Sequence, residues 1–201
     1  MNSRPTLLLL AALTAVAGVR AADRCPCCAA EAAAAAAPAL SNRSVYQLDA
    51  SWTNDAGRTF QLAELRGRPV VLAMFFTSCG YACPRIVADM TQIQQTLPAA
   101  VRARVQFVLV SFDHERDTVA ALHAYREQHD LNANWVLLRG APGDIRELAA
   151  VLGVKYKQDA AGMFEHSNLI TVLNPEGEVV HQRAGLEGGL AAASQAVLAA
   201  R

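Results

Sequence analysis

The chain has 201 residues, 53% of them apolar, enough for one well-packed domain with tails. Its 18 basic residues balance 18 acidic ones. No basic stripe or run is visible, which excludes an electrostatic nucleic-acid binder.

Residues 1–21 read as an export signal. Arg4 supplies a weak positive region, "TLLLLAALTAVAGV" (6–19) an apolar core, and Val19 and Ala21 the small residues before a cleavage site at Ala22. The apolar stretch is shorter than the roughly 20 residues that span a bilayer, so an uncleaved membrane anchor is the competing reading. No lipobox cysteine follows, because Cys25 is preceded by "ADR". Without residues 1–21 the chain loses Arg4 and Arg20, and its net charge falls slightly below zero. Export places the protein in the periplasm or at the outer face of the cytoplasmic membrane, where thiols are exposed to oxidation. The cysteines are Cys25, Cys27, Cys28, Cys79 and Cys83. The odd count leaves at least one unpaired or otherwise engaged.

Residues 22–44 combine a cysteine cluster, an alanine run and Pro38 without an apolar stripe, and read as a tether. The domain is expected over 45–201. "SVYQLDASWTNDAGRTFQL" carries strand-like runs around "NDAG", a hairpin signal. "PVVLAMFF" (69–76) and "VQFVLVSF" (105–112) are apolar runs of the kind buried on both faces of a sheet. Between them Cys83, Ile86, Met90, Ile93 and Leu97 recur at helical spacing until Pro98. Asp117 or Thr118 can cap a helix reaching about His129, with Val119, Leu122 and Tyr125 inward. "WVLL" (135–138) is a third strand. "PGDIRELAAVLG" is a helix stopped by Gly153, with Ile145, Leu148 and Leu152 inward. "NLITVLNPEGEVVHQ" is a second hairpin, and a final helix covers about 187–200. The order predicts an α/β fold around a mixed sheet.

"FFTSCGYACPRI" (75–86) places Cys79 and Cys83 where a buried strand gives way to a helix. Residues four apart share a helix face, so both sulfurs can converge there. The orphan N–H groups of the helix N-terminus favour thiolate over thiol. Cys83 lies on the apolar stripe and is expected to be the more shielded. Two thiolates suit soft Cu(I). They equally suit a dithiol–disulfide pair, although redox motifs normally have two intervening residues. A purely structural disulfide would close too short a loop to add much. Structural zinc lacks a second ligand pair.

The sequence resembles the Sco/SenC family of thioredoxin-like copper proteins. "FFTSCGYACP" matches the family's T-x-C-x-x-x-C-P, "SFDHERDT" (111–118) its S-x-D-P-x-R-D-T, and "FEHSNLITVLNPEGEV" (164–179) its D-H-S followed by strand and turn. "RTFQLAELRGRPVVL" corresponds to the segment leading into the cysteine motif. The resemblance covers about residues 45–185. It implies a thioredoxin-like fold, a central mixed β-sheet flanked by helices with an N-terminal β-hairpin. It also implies copper ligation by Cys79, Cys83 and His166, with Cu(I) and also Cu(II) as the metal. Gly-Tyr-Ala stands where the family has Pro-Asp-Val, and Glu165 where it has aspartate. These departures bear on partner recognition more than on metal binding.

His114 replaces the family's proline after Asp113, at the end of the second buried strand, where loops of α/β sheets commonly build sites. Asp113 and His114 are therefore auxiliary candidates, against the plainer reading of a solvated loop histidine. His123, His129 and His181 read as surface residues. Cys25, Cys27 and Cys28 could capture copper on the tether or simply oxidise after export. The resemblance implies a metallochaperone that delivers copper to a respiratory cytochrome oxidase copper-site subunit or another copper-binding protein. The rival is a thiol–disulfide reductase that keeps a partner's cysteines reduced, in which Cys79 and Cys83 are the redox pair. A membrane association enters only with an uncleaved signal.

Overall fold

In the computed structural model, residues 39–160 and 162–200 are described. The expected signal, most of the tether and Cys25, Cys27 and Cys28 lie outside the described residues. No helix among the described residues is long and apolar enough to cross a membrane.

The "NDAG" turn closes a hairpin, as its sequence predicts. β1 (Trp52–Asn54) pairs antiparallel with β2 (Thr59–Phe60). Asn54 Oδ1 accepts the N–H groups of Ala56 and Arg58 and so shapes the turn. The upstream run does not extend the strand. Val45–Gln47 is a single 3₁₀ turn, begun by Ser44 Oγ accepting the Tyr46 N–H at 3.2 Å. Ser44 also bridges to Glu178, and Ser41 and Arg43 bond its carboxylate. Residues 41–44, placed by sequence in the tether, are thus fastened to the folded domain.

The two apolar runs become β3 (Val70–Phe75) and β4 (Gln106–Ser111), buried at every position. Between them lie α1 (Ala82–Thr96) and the short α2 (Ala99–Arg102). α3 (Val119–Gln128) follows β4, capped by Thr118 Oγ1 accepting the Ala121 N–H. β5 (Trp135–Gly140) and α4 (Pro142–Leu152) come next, and Gly153 ends α4 in the left-handed conformation at φ 72°. A small hairpin, β6 (Tyr156–Gln158) and β7 (Phe164–His166), precedes β8 (Leu169–Leu173), β9 (Val179–Ala184) and α5 (Leu190–Ala199).

The main sheet runs β2-β1-β5-β4-β3-β8-β9, and β6-β7 forms a separate two-stranded sheet. β3, β4 and β5 are parallel, while β1, β8 and β9 join antiparallel, so the sheet is mixed. α1 packs on α5, and α3 meets β5 and β1, which flanks the sheet with helices. This is the predicted thioredoxin-like architecture, with its N-terminal hairpin at one edge.

Register decides where the chemistry falls. Val70 pairs with Gln106 and Phe75 with Ser111, so β3 and β4 end level and their following loops emerge side by side. β8 runs the opposite way, with Ile170 opposite Ala73, so its first residues arrive at the same end of the sheet. Three segments, 76–81, 112–118 and 164–168, therefore meet beyond the carboxyl ends of the parallel strands, where open α/β sheets build sites.

Candidate metal centre

Cys83 sits in the first turn of α1 and is fully buried. Cys79 lies on the loop before the helix, half-buried against the core. The convergence expected from two residues on one helix face arises differently. The loop turns back, with the Cys79 N–H donating to the Phe76 carbonyl at 3.2 Å, and aims the Cys79 sulfur at the helix start. Tyr81, the N-cap residue, offers no side-chain cap. The Cys83 N–H instead donates to Cys79 Sγ at 3.3 Å, so the sulfur takes the capping role.

This arrangement splits the two thiols. Burial pushes the Cys79 thiol up, but N–H groups of Cys83, Tyr81 and Ala82 and the Cys83 thiol outweigh it and hold Cys79 below its ordinary value. Burial pushes the Cys83 thiol far up, reinforced by the neighbouring Cys79 and Asp117 charges and opposed by the Phe76 backbone. Both cysteines are free thiols.

His166 is the last residue of β7, opposite Tyr156. The β6–β7 hairpin is not among the elements expected from sequence, which resume after Gly153 only at "NLITVL". His166 Nε2 lies 3.9 Å from Cys83 Sγ, and its Nδ1 lies 3.2 Å from the Ser167 carbonyl. A proton on Nδ1 donated to that carbonyl leaves the Nε2 lone pair facing the sulfurs. Burial lowers the imidazole's pKa, against the opposing pull of the Ser167 carbonyl, and so favours the neutral ring that can act as a ligand. Phe112 and Phe76 hold the ring at centroid distances of 5.0 and 5.9 Å. The donor atoms of Cys79, Cys83 and His166 all lie within 4.8 Å of one another.

Neither auxiliary candidate in the described residues joins this group. Asp113 is buried, but its carboxylate is taken by Arg116 through the backbone N–H and Nε. His114 is half-exposed, with Nε2 3.9 Å from Glu115. His123 is exposed, as expected. His129 is half-buried with its ring 4.2 Å from that of Tyr125. His181, expected at the surface, has a buried Nε2 without a hydrogen-bond partner.

Sequence reasoning missed Asp117. Thr118 does the capping, which frees the fully buried Asp117 to accept the Thr77 N–H at 3.0 Å and the hydroxyls of Thr77 and Ser111. Its own carbonyl accepts from Arg139 Nε at 2.8 Å. The carboxylate thereby ties the cysteine loop to the end of β4. The available signal was two adjacent capping residues, of which a helix needs only one.

Residues 40–197 match the family model described as SCO1/SenC. The SCO2 homologue of Bos taurus mitochondria is 31% identical over 145 residues, 69% of this chain and 54% of that protein. Among solved structures, Arabidopsis thaliana ScoI with copper bound superposes with a TM-score of 0.64 at 24% identity, covering 74% of this chain and 93% of its own. BsSco, described as a Sco-family cytochrome c oxidase assembly protein with a disulfide switch, gives 0.65 at 25% identity, covering 75% and 90%.

Proposed function

The chain belongs to the SCO1/SenC family, and from that premise we propose that it is an exported copper-binding metallochaperone. Its task is to assist copper-site assembly in a respiratory cytochrome oxidase, with the oxidase's copper-site subunit or another copper-binding protein as partner. The observation that carries this reading is the convergence of two sulfurs and one imidazole nitrogen within 4.8 Å. Thiolate and imidazole bonds to first-row metals run roughly 2.0–2.3 Å, so a trigonal site needs donors about 3.5–4 Å apart. The 3.9 Å between Cys83 Sγ and His166 Nε2 meets that spacing. Soft sulfur ligands select Cu(I), and the imidazole extends the set toward Cu(II). The copper-bound ScoI relative and the oxidase-assembly role of BsSco's family support the same cargo and the same destination. The signal-like residues 1–21 support export to the periplasm or the outer face of the cytoplasmic membrane.

A second reading, thiol–disulfide reductase, is favoured by one observation: an accessible sulfur with a lowered pKa stands beside a buried one with a raised pKa. That asymmetry suits a dithiol that attacks through one sulfur and resolves through the other. His166→Ala separates the two readings, with Cys25, Cys27 and Cys28 changed to Ser in every sample. The copper-carrier reading expects Cu(I) affinity to collapse and oxidase assembly to fail in cells, with little change in the dithiol's reduction potential. Assembly that survives the loss of copper affinity overturns the carrier and installs the reductase.

A further inference from the structure

We infer that Arg116 is a positioning residue for His166, latching the tip of the β6–β7 hairpin so that Nε2 stays on the two sulfurs. The inference rests on the copper-site reading above and adds a residue to it. The hairpin pairs with no strand of the main sheet. Its base is closed by the Lys155 N–H on Ser167 Oγ at 2.9 Å and the Ser167 N–H on the Lys155 carbonyl at 2.8 Å. Its inner side rests on aromatic rings: Tyr156 on Phe112 at 5.0 Å and Phe164 on Phe76 at 5.3 Å. Ring contacts of this kind resist lifting but leave sliding and rocking softer than a hydrogen bond would, because their orientational preference is shallow.

A directional contact is present at the far end. Arg116 Nη2 donates to the Gly162 carbonyl, four residues before His166. A Cβ built on Gly162 would lie 3.5 Å from Arg116 Nη1, so the guanidinium lies against the tip. The guanidinium is itself aimed. Asp113, 1% exposed, accepts Arg116 Nε and the Arg116 N–H, and its own N–H donates to Ser111 Oγ at 2.9 Å. Ser111 in turn donates to Asp117, which holds the Thr77 end of the cysteine loop. A chain of hydrogen bonds thus runs from the sulfur loop through Asp117, Ser111, Asp113 and Arg116 to the hairpin bearing the imidazole. It gives the sulfurs and the nitrogen a common reference at the end of β4. Groups that orient metal ligands from behind typically change metal affinity by about 10- to 100-fold when lost.

The test uses the full chain with Cys25, Cys27 and Cys28 changed to Ser. In the metal-free protein, Arg116→Ala raises amide hydrogen exchange at Phe164–His166 about tenfold and leaves β3 and β4 amides unchanged. In the Cu(I)-loaded protein, transfer of copper to a competing chelator accelerates about tenfold. Arg116→Lys falls between, because one ammonium cannot hold both Asp113 and the Gly162 carbonyl. In a His166→Ala background, Arg116→Ala adds nothing further, since the latch acts only through the imidazole. Unchanged exchange in β7 overturns the latch, as does equal acceleration of copper release with and without His166. If His166→Ala alone leaves release unchanged, the ligand assignment fails. That failure is distinguishable because exchange in β7 is read without copper.

Discussion

The segment 70–76 and Cys83 are at most 2% exposed, whereas no residue of β6 or β7 is buried. Cys83 belongs to the first of these regions, Cys79 to the half-buried loop that joins its two parts, and the imidazole to the second. The sulfur half is fixed by the packing of the sheet centre and the start of α1. The imidazole half is a satellite hairpin placed by rings and by the latch at its tip. In the proposed site, a dithiol anchored at the end of the sheet is joined by a third donor whose position depends on a few identifiable contacts.

The comparison breaks most severely at Phe112, a core residue that also supports the satellite. It is 1% exposed and lies within 5.0 Å of the rings of both Tyr156 and His166. Phe112→Ala is expected to cost about 3–5 kcal/mol in urea unfolding and to weaken Cu(I) retention with it. A smaller effect separates the cysteines. Cys83→Ser buries a hydroxyl in a thiol's place and costs about 1–3 kcal/mol, whereas Cys79→Ser costs less than about 1 kcal/mol. Equal costs would mean that Cys79 is as much a core residue as Cys83.

Titration sharpens the division further. The unfolded chain releases the Cys83 proton near pH 8.5, while the folded chain keeps it. The native state then binds more protons, so stability falls as pH rises past that value, by up to about 1.4 kcal/mol per pH unit. Cys79 runs the other way: its lowered pKa adds stability above the unfolded value, lost as pH falls through the folded one. Urea midpoints of reduced protein at pH 7.5 and 9.5 are expected to differ accordingly, and Cys83→Ala should flatten the decline. The smallest effect belongs on the hairpin surface. Lys157 stands opposite Glu165 in the β6–β7 register, and Lys157→Ala should shift stability by less than about 1 kcal/mol.

The same division explains what the sequence could reveal. "PVVLAMFF" and "VQFVLVSF" announce themselves because a strand covered on both faces can hold only apolar residues. The stripe of α1 is equally plain, and with the strand it brackets the cysteine motif. The β6–β7 hairpin is silent for the opposite reason. "YKQDAAGMFEH" mixes polar and small residues without an apolar run, its strands are three residues long, and Tyr156 and Phe164 are the aromatic anchors. Its placement comes from Phe76, Phe112 and Arg116, all distant in sequence, which no local pattern records. His166 was therefore legible as a motif but not as a position. The back-turned Cys79 loop was hidden too, because four-residue spacing reads as a helix face whether or not the first residue is helical.

The capping of α1 by a sulfur also sets the order of events in any exchange with a second thiol. Once Cys79 and Cys83 are joined as a disulfide, a thiolate arriving from solvent reaches Cys79 Sγ and not the buried Cys83. Attack forms the mixed bond at Cys79 and expels Cys83, which takes the electron pair of the broken S–S bond and must then recover a proton inside the core. A thiol whose anion is this disfavoured by burial is a poor leaving group, so reduction is slow whatever the reduction potential. The return step meets the same obstacle, because Cys83 must first lose its proton inside the core. When Cys83 attacks the mixed bond, its displacement re-forms the internal disulfide and releases the visitor. The oxidised form is thereby protected kinetically by the depth of one sulfur.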